Sequence, residues 1–404
     1  MPGKLVQINP VIRLTTSTGR IMKEIAGVAT EAGWQCRTAY SRGRDGVPSG
    51  VEGLMPVGSR LSVAWHGLLT RLLDRHGLGS AIATRRFVRE LEKFDPDVVH
   101  IHNIHGYFLN YEILFDYLRR SGKPVIWTVH DCWLFTGHCF HYASAGCGKW
   151  RGGCGNCPQK RAFPTSWLLD RSASNWDRKK AAFTSLGSRL TLVTVSEWMK
   201  SEVAESFLGG CRIEVIHNGI DLGVFKPCSA PAKGKALILG VASIWCREKG
   251  LDDFVKMDSL LDHDREEILL VGVKESQKAA LPPTIKTLAR TADAAALAQL
   301  YSRACALANP TWQDNYPTVN MEAIACGTPV VTYRTGGSVE TITPQTGEVV
   351  EQGDVAGMLA AIRRIAEKGK DSYTEGCRQF ALERFGKEDR YKDYLKLYED
   401  SSVR

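Results

Sequence analysis

The sequence predicts an α/β protein built of two doubly wound, parallel-sheet domains. Short apolar runs rich in β-branched residues alternate with longer amphipathic segments, a pattern typical of parallel strands joined by crossover helices. The pattern occurs twice, on either side of a Gly-, Pro- and Lys-rich stretch at 217–236 that has the composition of a linker. We expect the two sheets to face each other across a cleft, with the C-terminal ends of both sets of strands opening into it.

Each predicted element follows from this alternation. The first series of predicted strands comprises KLVQINPV, DVVHIHNI, PVIWTVH, RLTLVTVS and IEVIHNGID. The second series comprises KALILGVAS, EILLVGV, CALANP and PVVTYR. The intervening helical segments include MKEIAGVATEAG, NYEILFDYLRRSG, EWMKSEVAESFLG, DAAALAQLYSRA, NMEAIACG and DVAGMLAAIRRIAEKG. Residues 60–93 read as two helices that flank HGLGS.

Composition excludes several classes of protein. The chain has 404 residues, of which 44% are hydrophobic and 24% charged, so it can bury large cores and is not broadly disordered. No span approaches the roughly 20 apolar residues that a membrane helix requires. The start of the sequence lacks the apolar core of a signal peptide, and we expect a cytoplasmic protein.

The charge is unevenly distributed. Residues 1–220 hold 28 Lys and Arg against 18 Asp and Glu, a net charge of +10, whereas the remainder carries −2. The basic half is expected to face an anionic membrane surface or a phosphate-bearing substrate. Nucleic acid is not expected, because zinc-finger spacing, ribonucleoprotein motifs and long basic runs are missing. The Arg-rich segment 60–93 is either a pair of ordinary surface helices or an interfacial surface on anionic lipid.

The segment 309–340 carries the most information about function. It reads NPTWQDNYPTVNMEAIACGTPVVTYRTGGSVE, in which a strand runs into a loop and Pro317-Thr318 opens a helix. The first turn of that helix offers free N–H groups and a positive dipole end, which suit a phosphate or diphosphate. Asp314 and Glu322 bracket the loop and the first helical turns. Glu322 could otherwise be a solvated helix carboxylate, and Asp314 a cap or turn residue.

The complete string resembles the donor-site signature of the family 4 retaining glycosyltransferases, which have the GT-B fold of two facing Rossmann-like domains. In that family two acids eight positions apart precede a Cys-Gly-Thr-Pro-Val-Val stretch and a Gly-Gly turn; here Asp314 stands where the first acid is usually Glu. The resemblance implies that Glu322 binds the donor ribose and Asp314 the donor sugar. It also implies a donor-binding loop made of Asn315, Tyr316, Pro317, Thr318, Val319 and Asn320, in which the amides around Thr318, Val319 and Asn320 hold the diphosphate.

Two further segments match the family. In GVASIWCREKGLDDFV, Lys249 aligns with the family's cleft-facing lysine, while Ile244 occupies the usual arginine position and Arg247 lies close enough to substitute. The TTSTGR loop at 15–20 stands where the family has a Gly-rich turn near the donor phosphate, and Gly19 is its glycine. Two cations opposite a diphosphate would stabilise the leaving nucleotide without a cofactor.

The first domain supplies histidines at strand ends. His130 ends PVIWTVH, and the resemblance gives it a catalytic contact with the donor sugar, although a histidine after a strand can also be structural. His100 and His102 are expected on one face of their strand. The HIH pair looks like a metal pair, but no nearby carboxylate completes it, so a structural or acceptor-lining role is favoured for these two and for His105.

A cysteine cluster follows His130. Cys139, Cys147, Cys154 and Cys157 end in a C-x2-C pair, and four thiolates at such spacing can close a tetrahedral zinc site. Cys132 is better placed to end the strand beside His130, whereas His138 and His141 are alternative ligands. Disulfides and unliganded core thiols are the alternatives to a structural zinc ion, and a reducing compartment disfavours disulfides.

This cluster, together with DNYP in the donor loop, resembles the bacterial exopolysaccharide glycosyltransferases of the colanic-acid type. The resemblance implies transfer of a sugar from a nucleotide-sugar donor to a lipid-linked oligosaccharide acceptor, by a protein peripheral on the cytoplasmic face of the membrane. Its domains would be an acceptor-side domain at 1–212 with a Cys-rich loop at 132–158, a donor domain at 213–386, and a helix at 387–404 that crosses back. A nucleotide-sugar epimerase and a catalytically silent binding subunit are the alternatives.

Overall fold

The computed structural model describes residues 3–13, 16–43, 53–228 and 234–402. The chain divides into two units, one formed by Met1–Ile216 with Tyr391–Arg404 and the other by His217–Arg390. The first unit extends past residue 212 because Arg212–Val215 forms a strand that pairs with Leu190–Thr194 of the same sheet. Residues 229–233 of the predicted linker and Thr15 of the TTSTGR segment lie outside the described residues.

The described residues of the first unit form a sheet of seven parallel strands in the order β3-β2-β1-β4-β5-β6-β7. The strands are β1 (Lys4–Ile8), β2 (Gln35–Tyr40), β3 (Leu54–Pro56), β4 (Val98–Ile101), β5 (Val125–Val129), β6 (Leu190–Thr194) and β7 (Arg212–Val215). Every residue of β4, β5 and β6 is buried, as expected for parallel strands that helices cover on both faces.

The helices of this unit are largely those that the amphipathic segments predict. They are α1 (Ser17–Glu31), α2 (Arg60–Leu73), α3 (Ala81–Phe94), α4 (Tyr111–Ser121), α5 (Ser172–Thr184) and α6 (Glu197–Ala204). The bounds follow local chemistry: the Asn110 side chain caps the first turn of α4, and Gly122 ends that helix with a φ of 72°. The pair α2 and α3 confirms the two helices expected within 60–93.

The last helix of the chain completes the core of the first unit. Residues Lys387–Ser402 form this helix, which we label α13. Its buried side chains Tyr391, Tyr394, Leu397 and Tyr398 share a hydrophobic cluster with residues of the central strands, including Leu5, Val98, Ile126 and Val193. Residues of α13 therefore cover one face of a sheet whose strands lie between Lys4 and Val215.

The described residues of the second unit form a sheet of six parallel strands in the order β10-β9-β8-β11-β12-β13. The strands are β8 (Ala236–Val241), β9 (Glu266–Val271), β10 (Lys286–Leu288), β11 (Ala306–Asn309), β12 (Val330–Tyr333) and β13 (Gly347–Val350). The helices are α7 (Leu251–Asp258), α8 (Glu275–Lys278), α9 (Ala294–Arg303), α10 (Thr318–Ala325), α11 (Val355–Lys368) and α12 (Asp371–Arg384). The predicted pair of parallel-sheet α/β domains is thus confirmed.

In both sheets the order in which successive strands are added reverses at an equivalent place, the switch point. The first strand of each unit pairs with its fourth, so that β1 lies beside β4 and β8 lies beside β11. In doubly wound sheets the loops after these neighbouring strands diverge and leave a crevice, where ligands bind. Lys249, Asp314 and His102 follow these strands, and His130 follows the neighbouring strand β5.

Candidate active site

In the second unit, a lysine and an aspartate meet beyond the switch point of the sheet. Lys249 ends a short 3-10 turn after β8, and Asp314 lies in the loop after β11. The Lys249 Nζ lies 2.6 Å from the Asp314 Oδ2. Burial lowers the pKa of the Lys249 ammonium, but the neighbouring Asp314 carboxylate outweighs burial and raises that pKa above its ordinary value. This ion pair joins the two residues that the sequence assigned separately to the donor.

Backbone contacts hold the two loops together. The carbonyl oxygen of Glu248 accepts hydrogen bonds from the Trp312 N–H at 2.8 Å and from the Thr311 hydroxyl at 3.3 Å. The carbonyl oxygen of Asp314 accepts one from the N–H of Gly337, in the Gly-Gly turn, at 3.2 Å. Arg247 shares the 3-10 turn with Lys249, and its side chain is exposed.

Helix α10 begins at Thr318, immediately after Pro317, as the sequence predicts. The Asn320 N–H donates to the Pro317 carbonyl at 3.2 Å, so this amide is engaged within the first turn. The Asn320 side chain is buried: its Oδ1 accepts from the Asn309 side chain at 2.8 Å, and its Nδ2 donates to the Thr341 hydroxyl at 3.0 Å. Asn320 therefore fixes the start of the helix against β11 and the turn after β12.

Glu322 lies on the buried side of α10. Its side chain is 5% exposed, and its Oε2 accepts a hydrogen bond from the Tyr301 hydroxyl of α9 at 3.0 Å. This contact, which joins residues 21 positions apart in the sequence, fixes the orientation of the carboxylate.

The donor loop contains an aromatic contact that the sequence analysis did not foresee. The ring of Tyr316 stacks on that of His217 with centroids 4.6 Å apart, and the Tyr316 carbonyl accepts a hydrogen bond from the Asn218 side chain at 3.5 Å. Asn315, beside it, is also buried. The HNG triplet that begins the second unit is the sequence feature that could have indicated this contact.

In the first unit, His130 follows β5 and contacts another histidine. Its Nε2 lies 3.2 Å from the Nδ1 of His102, which follows β4, and the Gln7 side chain of β1 contacts the His102 Nε2 at 3.0 Å. Burial lowers the pKa of His130 to about 4, and that of His102 well below its ordinary value. Both rings are therefore neutral at pH 7.

His100 has a structural position. Its Nδ1 contacts the Tyr398 hydroxyl at 2.7 Å and its Nε2 contacts the Thr128 hydroxyl at 2.8 Å, so both ring nitrogens are used inside the core. His105 differs, because its Nε2 lies 2.8 Å from the Asp131 Oδ2. A carboxylate therefore lies beside His105, which is not a member of the HIH pair. Asp131 is 26 positions away, and the strands β4 and β5 bring the two together.

Gly19 lies inside the first turn of α1 rather than in a loop, because the helix begins at Ser17. A Cβ at this position would meet the Arg13 carbonyl oxygen at 2.3 Å. The close backbone approach explains why glycine is required here. Its predicted contact with the donor stays a prediction.

The four predicted zinc-binding cysteines Cys139, Cys147, Cys154 and Cys157 line one small cavity in the loop between β5 and α5. Each is a free thiol. Within the described ranges, no group of three or more His, Cys, Asp or Glu side chains is placed so that it could hold a metal ion as it stands. The cysteines are thus brought together, but not in the tetrahedral arrangement expected of a bound zinc ion.

Comparison with known sequences places both units in the same class. Residues 18–224 match the protein family Glycosyltransferase Family 4, and residues 235–368 match the family Glycosyl transferases group 1. A protein of Escherichia coli strain K12 named as a colanic acid biosynthesis glycosyl transferase, WcaC, is 25% identical over 271 residues. The match covers 64% of this chain and 65% of that protein, just under two thirds of its length.

Solved structures share the fold over nearly the whole chain. Sucrose-phosphate synthase from Thermosynechococcus elongatus matches with a TM-score of 0.72 at 15% identity and covers 98% of each chain. Anabaena Alr3699/HepE in complex with UDP matches with a TM-score of 0.67 at 14% identity, over 98% of this chain and 100% of that one. The fold and the sequence matches define a glycosyltransferase of the GT-B type.

The chain belongs to glycosyltransferase family 4. In the parts of the chain that the structure describes, no helix combines the length and the apolar character needed to cross a membrane.

Proposed function

We propose that this glycosyltransferase moves a sugar from a nucleotide diphosphate donor to a lipid-linked oligosaccharide, with retention at the anomeric carbon, in exopolysaccharide or capsule biosynthesis. The observation that carries the donor assignment is the Lys249–Asp314 pair beside the N-terminus of α10, at the switch point of the second sheet. The HepE structure contains UDP, and the name of the E. coli relative refers to colanic acid biosynthesis. Both support the proposal.

The donor diphosphate would lie against Lys249, Arg247 and the amides of Thr318 and Val319. An ammonium held by Asp314 is preorganised, so little reorganisation is needed when negative charge develops on the leaving phosphate. Because these cations and amides stabilise that charge, the reaction needs no cofactor. Pro317 has no N–H of its own, and its fixed φ suits it to a helix start.

The sugar and the nucleoside would be held by carboxylates. We assign Asp314 to the hydroxyl groups of the donor sugar and Glu322 to the ribose hydroxyls, with Asn315 and Tyr316 shaping the loop between them. The Tyr301 hydroxyl donates to the Glu322 Oε2 and so fixes the orientation of this carboxylate. Asn320 takes a positioning role, because its amide hydrogen and its side chain are both engaged within the protein.

The proposed chemical step requires no protein nucleophile. The bond between the anomeric carbon and the leaving phosphate oxygen breaks, and the acceptor oxygen forms its bond on the same face. The acceptor hydroxyl proton passes to the leaving phosphate. His130 is assigned to the transferred sugar as a neutral hydrogen-bonding group, since its lowered pKa keeps it uncharged at pH 7.

The first experiment is a screen of the purified protein against UDP-, GDP- and dTDP-sugars, with nucleoside diphosphate release as the readout, with and without a membrane-lipid extract. We expect release from one donor, stimulated by lipid, and no release by Glu322→Ala. Lys226→Ala, an exposed lysine of the same unit, is the matched control and should keep full activity. Binding of nucleotide without any release would contradict transfer and favour a silent subunit.

Membrane attachment is the second part of the proposal. One face of α2 leaves Leu61, Trp65 and Leu68 exposed, at spacings of four and three residues. Leu61 is 82% exposed and Trp65 60%. The Arg71 guanidinium lies 5.9 Å from the ring of Trp167, which is also exposed. Apolar side chains beside arginines on an amphipathic helix favour an anionic bilayer surface.

Vesicle sedimentation tests this attachment. The protein should bind vesicles containing phosphatidylglycerol and not pure phosphatidylcholine, and a Trp65→Ser/Trp167→Ser variant should lose binding. Leu382→Ser removes an exposed leucine from α12 of the other unit and serves as the control. Equal binding of the double variant and the native protein would contradict the assigned surface. The attachment would place the protein peripherally on the cytoplasmic face.

A further inference from the structure

The Cys-rich loop between β5 and α5 encloses a small cavity of about 20 Å³. His138, Cys139, Cys147, Cys154 and Cys157 contribute to its lining. A cavity of this size holds about one water-sized group. Four thiols and an imidazole around a single small space are the ligand types that zinc prefers.

His138 indicates that the cavity is made for a ligand. Its side chain is 2% exposed, and its Nδ1 lies 2.6 Å from the Asp74 Oδ1. Its Nε2 is buried and has no hydrogen-bond partner among the described residues. An imidazole fixed by a carboxylate through one nitrogen, with the other nitrogen left for an ion, is the usual arrangement of a zinc-bound histidine.

Asp74 is itself held in place. It is fully buried, and its Oδ2 accepts a hydrogen bond from the Arg171 N–H at 2.8 Å. The Asp74 carbonyl accepts another from the Asn175 side chain at 2.8 Å. Since these contacts fix the carboxylate, they also fix the direction of the His138 ring. The unpartnered nitrogen cannot turn away without breaking the contact with Asp74.

Three cysteines contribute to the lining of the same space. The Cys154 Sγ accepts a hydrogen bond from the Gly137 N–H at 3.2 Å, and Cys139 and Cys157 line the cavity beside it. A Cβ at Gly137 would meet the Ser172 carbonyl oxygen at 2.0 Å and the Cys154 Cβ at 2.8 Å. Glycine therefore permits the close approach that directs an N–H at the sulfur.

The walls of the loop are anchored in the core of the unit. The ring of Trp150 is buried and lies 4.8 Å from that of Phe135 and 4.9 Å from that of Tyr142. The buried Lys179 Nζ donates to the carbonyl oxygens of Trp133 at 2.6 Å and Thr136 at 2.9 Å. A loop fixed on both sides keeps the ligand groups near one another before an ion binds.

We propose that this pocket binds Zn²⁺ through the Nε2 of His138 and the thiolates of Cys139, Cys154 and Cys157, with Asp74 orienting the histidine. Binding forms one Zn–N and three Zn–S bonds and releases the three thiol protons to solvent. In the described residues no three of these side chains are placed to hold an ion as they stand, so binding requires the cysteine side chains to turn about χ1 towards it. The set differs from the four-cysteine set predicted from spacing, because His138 replaces Cys147.

The site has a structural role and does not depend on the proposed transfer reaction. The ion would join His138 and Cys139 to the C-x2-C pair at the far end of the loop, and so hold together a segment without long secondary structure. Zinc sites of this closed kind contribute directly to folding.

Metal analysis of the full-length protein purified under reducing conditions tests the site. We expect about one zinc per chain, and a chelator should lower the melting temperature until zinc is restored. Cys139→Ser and Cys157→Ser should each lose the metal, whereas Cys211→Ser, a half-buried thiol elsewhere in the unit, should keep it. A native protein that binds no zinc, even after addition of the metal, overturns the proposal.

The ligand set is tested by a matched pair of variants. His138→Asn should lose zinc and Cys147→Ser should keep it; the reverse pattern overturns the assignment of His138. If a variant fails to fold, the site is tested instead by adding Co²⁺ to the metal-free native protein. Visible absorption of tetrahedral Co²⁺ with thiolate-to-metal charge transfer supports the site, and the spectrum of hexaaqua Co²⁺ overturns it.

Discussion

The two sheets have matching strand orders around their switch points but place different chemistry there. Beyond β8 and β11 the second sheet carries an ion pair, Lys249–Asp314. Beyond β4 and β5 the first sheet carries His102 and His130, which burial keeps neutral, and its nearby carboxylate, Asp131, is bound to His105. A fixed cation suits a diphosphate, whereas neutral rings suit hydroxyl groups. The shared topology thus provides a place for a ligand in each sheet, and the loop residues determine whether a charged or a neutral ligand group fits there.

The largest effect is expected from removing the cation. Lys249→Ala should lower kcat/KM for the donor about 100- to 1000-fold, because the leaving diphosphate loses a preorganised donor. Steady-state release of nucleoside diphosphate measures this, with Lys226→Ala as the control. A variant within threefold of the native protein would show that the charged pair is not the donor site.

His130→Ala tests the neutral side of the comparison. We expect kcat to fall about 100-fold with little change in the KM for the donor, because the ring acts on the sugar rather than on the diphosphate. His263→Ala, an exposed histidine of the second unit, should have no effect. A rise in KM at constant kcat would mean that His130 contributes only to binding.

Asp314→Asn separates charge from shape within the ion pair. The amide keeps the size of the side chain but no longer holds the ammonium as an anion, and we expect about a tenfold loss of kcat. Initial rates across donor concentrations measure the change. Wild-type kcat in Asp314→Asn, together with full loss in Lys249→Ala, would show that Asp314 does not position the lysine.

The smallest effect concerns stability and pH. Burial lowers the pKa of His100 to about 3, whereas in the unfolded chain it is about 6.5. Below about pH 6.5 the unfolded state therefore binds a proton that the folded state excludes. The free energy of unfolding should fall with decreasing pH, by up to about 1.4 kcal/mol per pH unit from this residue.

Urea unfolding between about pH 6.5 and pH 4.5 measures the slope, and His100→Asn should reduce it. The urea concentration at the unfolding midpoint of His100→Asn will also be lower at neutral pH, because the contacts with Thr128 and Tyr398 are lost. The slope is the diagnostic quantity. Identical slopes in the two proteins would mean that His100 does not resist protonation in the folded state.

Much of this architecture follows from local sequence. The alternation of apolar runs and amphipathic segments predicts nine of the thirteen described strands and misses β2, β3, β10 and β13, which lie towards the edges of the two sheets. Pro317-Thr318 predicts where α10 begins. The boundary between the two units is harder to predict from local sequence. Strand β7 belongs to the first sheet because it pairs with β6, and no local signal at residue 212 indicates this pairing.

The site was harder to predict because its contacts join distant parts of the chain. Lys249 and Asp314 are 65 positions apart, and His105 and Asp131 are 26 apart, so the strand order creates both pairs. The sequence shows which residues follow strands, but not which strands are neighbours. The orientation of His138 by Asp74, 64 positions earlier, is missed for the same reason.

The path of the last helix has a consequence for how the protein is made. The tyrosines that bond His100 and Thr128 of the first sheet, Tyr398 and Tyr394, are translated only after the whole of the second unit. Until then, one apolar face of a sheet translated long before has no cover from α13. The N-terminal unit therefore completes its fold only after the C-terminal unit has been synthesised, and a nascent chain stalled at residue 390 would expose that face to chaperones.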